Sequence, residues 1–204
     1  KTFNNALNKG RLAHAFLLTG IRGVGKTTTA RIIAKALNCI GDGSKEDPSF
    51  EICNNCSPCK SINNGNFLDV IEVDAASRTG VDGIREIIDS VIYSPNNARY
   101  KVYIIDEVHM LSNAAFNALL KTLEEPPQNV KFIFATTEIK KIPATIISRC
   151  QKFDLQRVDL NTLSNHLKNI CQNESISHES DSILHICKAR RVLRDCPWRS
   201  RYTS

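Results

Sequence analysis

The amino-acid sequence predicts an α/β fold, a parallel sheet between helices with a small helical appendage, and three observations carry that prediction. Short apolar runs rich in β-branched residues recur at Ala15–Thr19, Val70–Val73, Val102–Ile105 and Phe132–Ala135. They read as strands buried on both faces. Between them lie segments with one apolar stripe at helical spacing: Val81, Ile84, Ile88 and Val91, then Phe116, Leu119, Leu120 and Leu123. Such stripes let helices pack on a sheet. After Phe153 the strand signal stops, and Leu160, Leu163, Leu167 and Ile170, followed by Ile183, Leu184 and Cys187, predict two helices of a separate small domain.

The chain has 204 residues, 42% hydrophobic and 24% charged, enough for one full core and a small addition. No apolar run is long enough to cross a bilayer, and the N-terminus lacks the layout of a secretory signal, so a cytoplasmic protein without membrane contact is expected. The net charge is +6, but Lys188, Arg190, Arg191, Arg194, Arg199 and Arg201 against Asp195 supply +5 of it. Overall basicity therefore says little about a nucleic-acid groove. With eight cysteines and no signal peptide, metal binding is a better question than a disulfide framework.

Gly20-Ile21-Arg22-Gly23-Val24-Gly25-Lys26-Thr27 fits G-x-x-x-x-G-K-[ST], directly after a predicted strand and before a helix predicted to start near Lys26. Glycines let the backbone curl until its N–H groups face a phosphate. Lys26 then reaches the β- and γ-phosphates of ATP, and the Thr27 hydroxyl can hold Mg²⁺. The nucleotide-binding stretch is taken to run on to Thr28. A Gly-rich turn that merely carries Lys and Thr is the ordinary alternative, disfavoured by the flanking elements.

The other half of such a site belongs at the end of a second buried strand, where Val102-Tyr103-Ile104-Ile105 runs into Asp106 and Glu107. Asp106 suits Mg²⁺ bound through water. Glu107, expected to point the other way by strand alternation, can serve as general base toward the attacking water. Two acids after a strand are often only a solvated turn; the phosphate loop is what makes them catalytic candidates.

Asp106-Glu107-Val108-His109-Met110-Leu111, Ala118-Leu119-Leu120-Lys121-Thr122-Leu123-Glu124-Glu125-Pro126-Pro127, the segment Asp74 to Asp82 and Ser148-Arg149-Cys150 together resemble the gamma/tau subunits of bacterial DNA polymerase III. The resemblance covers about residues 1 to 187. It implies a P-loop NTPase module of the AAA+ type, with a five-stranded parallel sheet, followed by a helical lid. It also implies an ATPase of the replicative clamp loader, whose partners are other clamp-loader subunits, the sliding clamp and, through the assembly, primer-template DNA. Thr137 matches the sensor-1 position on the γ-phosphate side. Arg149 matches the arginine finger, which reaches the neighbouring subunit's ATP; a guanidinium there stabilises charge on the phosphoryl oxygens. Without the resemblance, Thr137 reads as a strand-end hydroxyl and Arg149 as a locally paired surface arginine.

Cys53-Asn54-Asn55-Cys56-Ser57-Pro58-Cys59 places three thiols in seven residues, with Cys39 upstream. Four thiolates could close tetrahedrally on Zn²⁺ and order an insertion that otherwise has almost no apolar core. The spacing is not a common finger pattern, and an unpaired thiol cluster is the alternative. The resemblance implies a structural zinc module at this place. Cys150, Cys171, Cys187 and Cys196 are dispersed and read as small core residues.

The expected division is a nucleotide-binding domain over 1–155, with a zinc-binding insertion over 39–65, a partial helical lid over 156–187 and an atypical basic tail over 188–204. The sequence begins at Lys1-Thr2-Phe3, without the family's upstream segment that helps enclose the adenine, so weakened nucleotide affinity is expected. Arg194 and Asp195 fit the end of the family's sensor-2 motif, but its glycine and serine are absent, and the tail's change of composition suggests non-native sequence. Set against an active clamp-loader ATPase are two alternatives: a scaffold that binds nucleotide without turnover, and a zinc-bearing interaction module. The joint presence of Lys26, Thr27, Asp106 and Glu107 argues against the last.

Overall fold

The computed structural model describes residues 12–43, 48–49, 51–77, 81–174, 176, 182–183, 185 and 187. Five parallel strands form one sheet: β1 (Ala15–Thr19), β2 (Val70–Asp74), β3 (Lys101–Asp106), β4 (Val130–Thr136) and β5 (Gln151–Asp154), in the spatial order β2-β3-β4-β1-β5. Four of these are the apolar runs. The fifth, β5, has no apolar run because it is an edge strand whose residues alternate between half-buried and exposed.

Alternation along the three inner strands feeds two cores. Leu17, Tyr103, Ile105, Phe132 and Phe134 face one side, where α3 (Val81–Val91) and α4 (Asn113–Glu124) pack. Tyr103, Phe132 and Phe134 stack in a row, with ring centroids 5.4 and 6.0 Å apart. Phe16, Leu18, Val102, Ile104, Ile133 and Ala135 face the other side, against α1 (Lys26–Asn38). Each such large side chain contributes about 1.5–3 kcal/mol on full burial, so strands apolar on both faces follow from a sheet covered on both faces. In α3 the buried stripe is Ile84, Ile87 and Val91, and Ile88 is only half-buried.

The insertion after α1 is better anchored than its composition suggested. It contains α2 (Ser57–Asn63), whose Ile62 is buried against the α1 side of the core, where a half-buried Ile52 also packs. Lys35 of α1, itself buried, donates to Asn54 Oδ1 at 3.0 Å and Asn63 Oδ1 at 2.9 Å. A short helix Ala144–Ile147 (α5) precedes β5. Beyond β5, α6 (Leu160–Asn173) is capped by Asp159, whose carboxylate accepts from the Thr162 amide at 2.8 Å. Leu163 and Leu167 form a third buried cluster with Ile183 and Cys187, and Cys171 rather than Ile170 packs beside it. Arg194, Cys196 and the rest of the 188–204 tail lie outside the described residues, as does the Lys1-Thr2-Phe3 start. Among the described residues, no helix is long and apolar enough to cross a membrane.

Candidate nucleotide site

Because all five strands run the same way, their carboxyl ends fall on one edge, and register aligns Asp74 with Asp106, Thr19 with Thr136 and Thr19 with Asp154. Loops leaving such an edge are where ligands of open α/β sheets bind. The Gly20–Thr27 loop leaves from β1. Gly20 has φ +151, and a Cβ there would come within 2.6 Å of the Leu155 carbonyl oxygen, so only glycine lets the chain after β5 pass this close. Gly25, at φ +96, is the residue before α1 and has no side chain to cap it. The first turn of α1 holds no acidic residue, so its amides and dipole are turned toward an anion without competition.

Lys26 folds back over this loop. Its Nζ donates to the carbonyls of Gly20 at 3.2 Å and Ile21 at 3.1 Å, and the residue is 5% exposed. The Thr27 hydroxyl donates to Asp106 Oδ2, so the two groups expected to share a cation meet directly. Asp106 Oδ1 accepts from the amide of Glu107 at 2.9 Å. The Thr27–Asp106 contact brings together residues 79 positions apart in the chain, from α1 and the end of β3.

Strand alternation is not what orients Glu107. β3 ends at Asp106, and Glu107 adopts a left-handed conformation at φ 47, uncommon outside glycine, which turns the chain into a 3₁₀ turn over Val108–Met110. Its carboxylate then lies beside the end of β4: Thr137 Oγ1 donates to Glu107 Oε2 at 3.1 Å. The sensor-1 match and the candidate base are therefore in direct contact.

Three neighbours escaped the sequence reading. His109 has 6% side-chain exposure, with Nδ1 3.1 Å from Thr136 Oγ1 and 3.4 Å from Glu107 Oε2. Its Nε2 lies 3.5 Å from Glu138 Oε1. Glu138 pairs with Lys141 at 3.0 Å, and that contact, with the nearby His109, holds its carboxyl below the usual range. The signal available was position alone: His109 is two residues past Glu107, and Thr136 and Glu138 flank Thr137. Arg31 of α1 also grips Glu72 of β2 through Nε at 2.8 Å and Nη2 at 2.9 Å, and this raises the guanidinium above its ordinary value.

Arg149 is not part of this constellation. Parallel pairing sets Gln151 beside Phe16 and Asp154 beside Thr19, so Arg149 precedes the end of β5 opposite to the one nearest Gly20. At about 3.3 Å per residue, roughly 13 Å of strand separates the two edges. The guanidinium instead meets Glu124 at 2.6 Å and the Thr145 carbonyl at 2.7 Å.

A second cluster sits past the far end of α1. The sulfurs of Cys39, Cys53, Cys56 and Cys59 all lie within 4.8 Å of one another, and those of Cys39 and Cys53 are 3.6 Å apart. A regular tetrahedron with metal–sulfur bonds of about 2.3 Å has sulfur–sulfur edges of about 3.8 Å, so the four donors fit a metal of that preference. Amides of Cys56 and Asn55 pull the Cys53 thiol down to about 6, while burial pushes the Cys59 thiol up. Cys150 is distinct: it packs against the main core, and burial raises its thiol to about 12.

Comparison with known proteins decides the family. A sequence profile described as DNA polymerase III, delta subunit, matches residues 1–159. The chain belongs to this DNA polymerase III family. Within it, the chain is 52% identical over 192 residues to the tau/gamma subunit of Haemophilus influenzae, covering 94% of this chain and 27% of that protein. It is 52% identical to the tau subunit of Bacillus subtilis, covering 93% and 33%, and 49% identical to the tau subunit of Escherichia coli, covering 94% and 29%. It thus spans about a third of these relatives. Among solved structures, the branch migration motor RuvB of Thermotoga maritima superposes with a TM-score of 0.61 at 20% identity, over 93% of this chain and 54% of that one. A DNA polymerase III gamma subunit-related protein of the same organism gives 0.56 at 21% identity, over 91% and 57%. These likenesses establish the fold, a five-stranded parallel sheet covered by helices on both faces.

Proposed function

We propose that this chain is the ATP-binding and hydrolysing part of a clamp-loader subunit, which works in the cytoplasm with other clamp-loader subunits to place a sliding clamp on primer-template DNA. Polymerase activity belongs to the larger assembly. One observation carries the reading: Lys26, Thr27, Asp106, Glu107 and Thr137 converge on one sheet edge through the Thr27–Asp106 and Thr137–Glu107 contacts.

The roles follow from what each group can do. Lys26 exchanges two loop carbonyls for phosphate oxygens, supported by the Gly20–Thr28 backbone and the start of α1. Thr27 and Asp106 hold Mg²⁺, which supplies positive charge across the phosphates. Glu107 takes a proton from the attacking water, and Thr137 sits where it can sense the γ-phosphate and the base together. Titration with a fluorescent ATP analogue tests this. Binding is expected to tighten when Mg²⁺ is added, and Asp106→Asn should remove that gain, about tenfold or ~1.4 kcal/mol. Equal affinity with and without Mg²⁺ in the unaltered chain would refute the Thr27–Asp106 assignment.

We further propose that the four cysteines hold a structural Zn²⁺, with the lid over 156–187 as a distinct unit. Four sulfurs fill a tetrahedron and leave no open position for catalysis. Metal analysis of freshly purified, reduced protein is expected to give close to one zinc per chain. Cys56→Ser should release it and raise hydrogen exchange in the 39–65 insertion more than in the inner strands. Zinc-free protein with a protected insertion would count against the site.

A further inference from the structure

His109, whose side chain is 6% exposed, is a polar group at the site that no role has yet absorbed. An ionised carboxylate only accepts hydrogen bonds, so a ring nitrogen 3.4 Å from Glu107 Oε2 stabilises it only as N–H. The Thr136 hydroxyl, 3.1 Å from the same nitrogen, already accepts from the Glu138 amide at 3.0 Å and can accept from the ring as well. With its proton on Nδ1 the ring donates to Thr136 Oγ1 and turns that N–H toward Glu107 Oε2. On the ring's far side Nε2 faces Glu138, which Lys141 holds in place. The imidazole thus bridges the turn after β3 to the turn after β4.

Thr137 Oγ1 donates to that same carboxylate oxygen, Oε2, at 3.1 Å. Thr137 thus bonds Oε2, His109 Nδ1 lies 3.4 Å from the same oxygen, and neither of these two contacts falls on Oε1. Resting on the reading of Glu107 as general base, we propose that His109 is a positioning residue: with Thr137 it anchors Oε2 and leaves Oε1 as the atom that takes the water's proton. Thr137 can be drawn away by a γ-phosphate oxygen, whereas the His109 side chain is only 6% exposed and bonded through Nδ1 to Thr136. His109 is therefore the fixed anchor of the base, and Thr137 the movable one.

Asparagine places its amide nitrogen near the position of Nδ1, and glutamine places its own nearer to Nε2. His109→Asn and His109→Gln therefore separate the anchor toward Glu107 from the contact toward Glu138, and both remain polar enough to fold in a site that is polar on each side. In the assembled complex with its partner subunits, His109→Gln is expected to lower kcat roughly tenfold to a hundredfold, part of the about 10²–10⁴ a general base supplies. His109→Asn should stay within roughly threefold of the unaltered protein on the same scale. Affinity for a fluorescent ATP analogue should be unchanged in both. The double variant with Glu107→Gln should be no slower than Glu107→Gln alone, since an anchor without its base has nothing to position. Equal rates for the Asn and Gln variants, or a loss that appears in binding, would overturn the role. Glu107→Gln in the same assay separates the two readings: if it turns over normally the base assignment itself is wrong, and if it is inactive while Asn and Gln are alike, only His109 has been misassigned.

Discussion

Lys26→Ala is expected to abolish nucleotide binding, whereas Glu107→Gln should bind nucleotide normally and fail to hydrolyse it. The difference follows from which state of the reaction each side chain meets. Lys26 is buried at the mouth of its own loop and bonded to two carbonyls 3.1 and 3.2 Å away, so its charge is held over the loop proposed to take the phosphates. Charge-assisted hydrogen bonds are worth about 1.5–3 kcal/mol each, so losing two lowers affinity by roughly a hundredfold or more. Glu107 contacts Thr137 and His109 rather than the loop, and its amide analogue keeps its size while losing the capacity to take a proton. Hydrolysis should fall by about 10²–10⁴ with affinity intact. Isothermal titration and single-turnover hydrolysis on both variants check this. A parallel loss of binding in both would mean that Glu107 belongs to the phosphate cradle.

The parts of this site that could be read from the chain are those carried by contiguous residues. The Gly20–Thr27 loop needs three special backbone positions and two reactive side chains within eight residues, a pattern that leaves few other meanings. Asp106 and Glu107 were legible because an apolar strand runs straight into them. Glu107's orientation was not, since it depends on a left-handed turn at φ 47 and not on strand alternation. The His109–Thr136–Glu138 arrangement joins residues 27 to 29 positions apart, and no local pattern encodes such a contact; it arises only once β3 and β4 are paired side by side. β5 was unreadable for a related reason: an edge strand half open to solvent needs no apolar run, and Gln151-Lys152-Phe153-Asp154 offers none. The docking of the insertion was missed because it rests on single residues, Ile62 and Lys35, instead of a stripe.

Arg149→Ala is expected to leave the chain's own nucleotide affinity almost unchanged while depressing hydrolysis in the assembled complex. The sheet topology argues for this split, because Arg149 lies at the edge opposite to the Gly20–Thr27 loop and cannot serve that loop within one chain. Its bond to Glu124 is an ion pair with both partners partly exposed, and such pairs contribute about 1 kcal/mol or less, so a neighbour's phosphates could displace Glu124 at little cost. A guanidinium supplied to a phosphoryl transition state is worth on the order of 10³-fold or more in turnover, though control shared among several sites would make the observed loss smaller. The decisive measurement mixes Arg149→Ala chains, which keep a working phosphate loop, with Lys26→Ala chains, which keep Arg149. Activity should reappear at interfaces where an intact loop meets an intact arginine. Glu124→Gln gives the control, with turnover in the complex expected to stay near that of the unaltered protein because the pair is a resting place and not part of the chemistry. A mixture as inactive as either parent, with assembly intact, would show that Arg149 does not act across the interface and serves only its local contacts to Glu124 and Thr145.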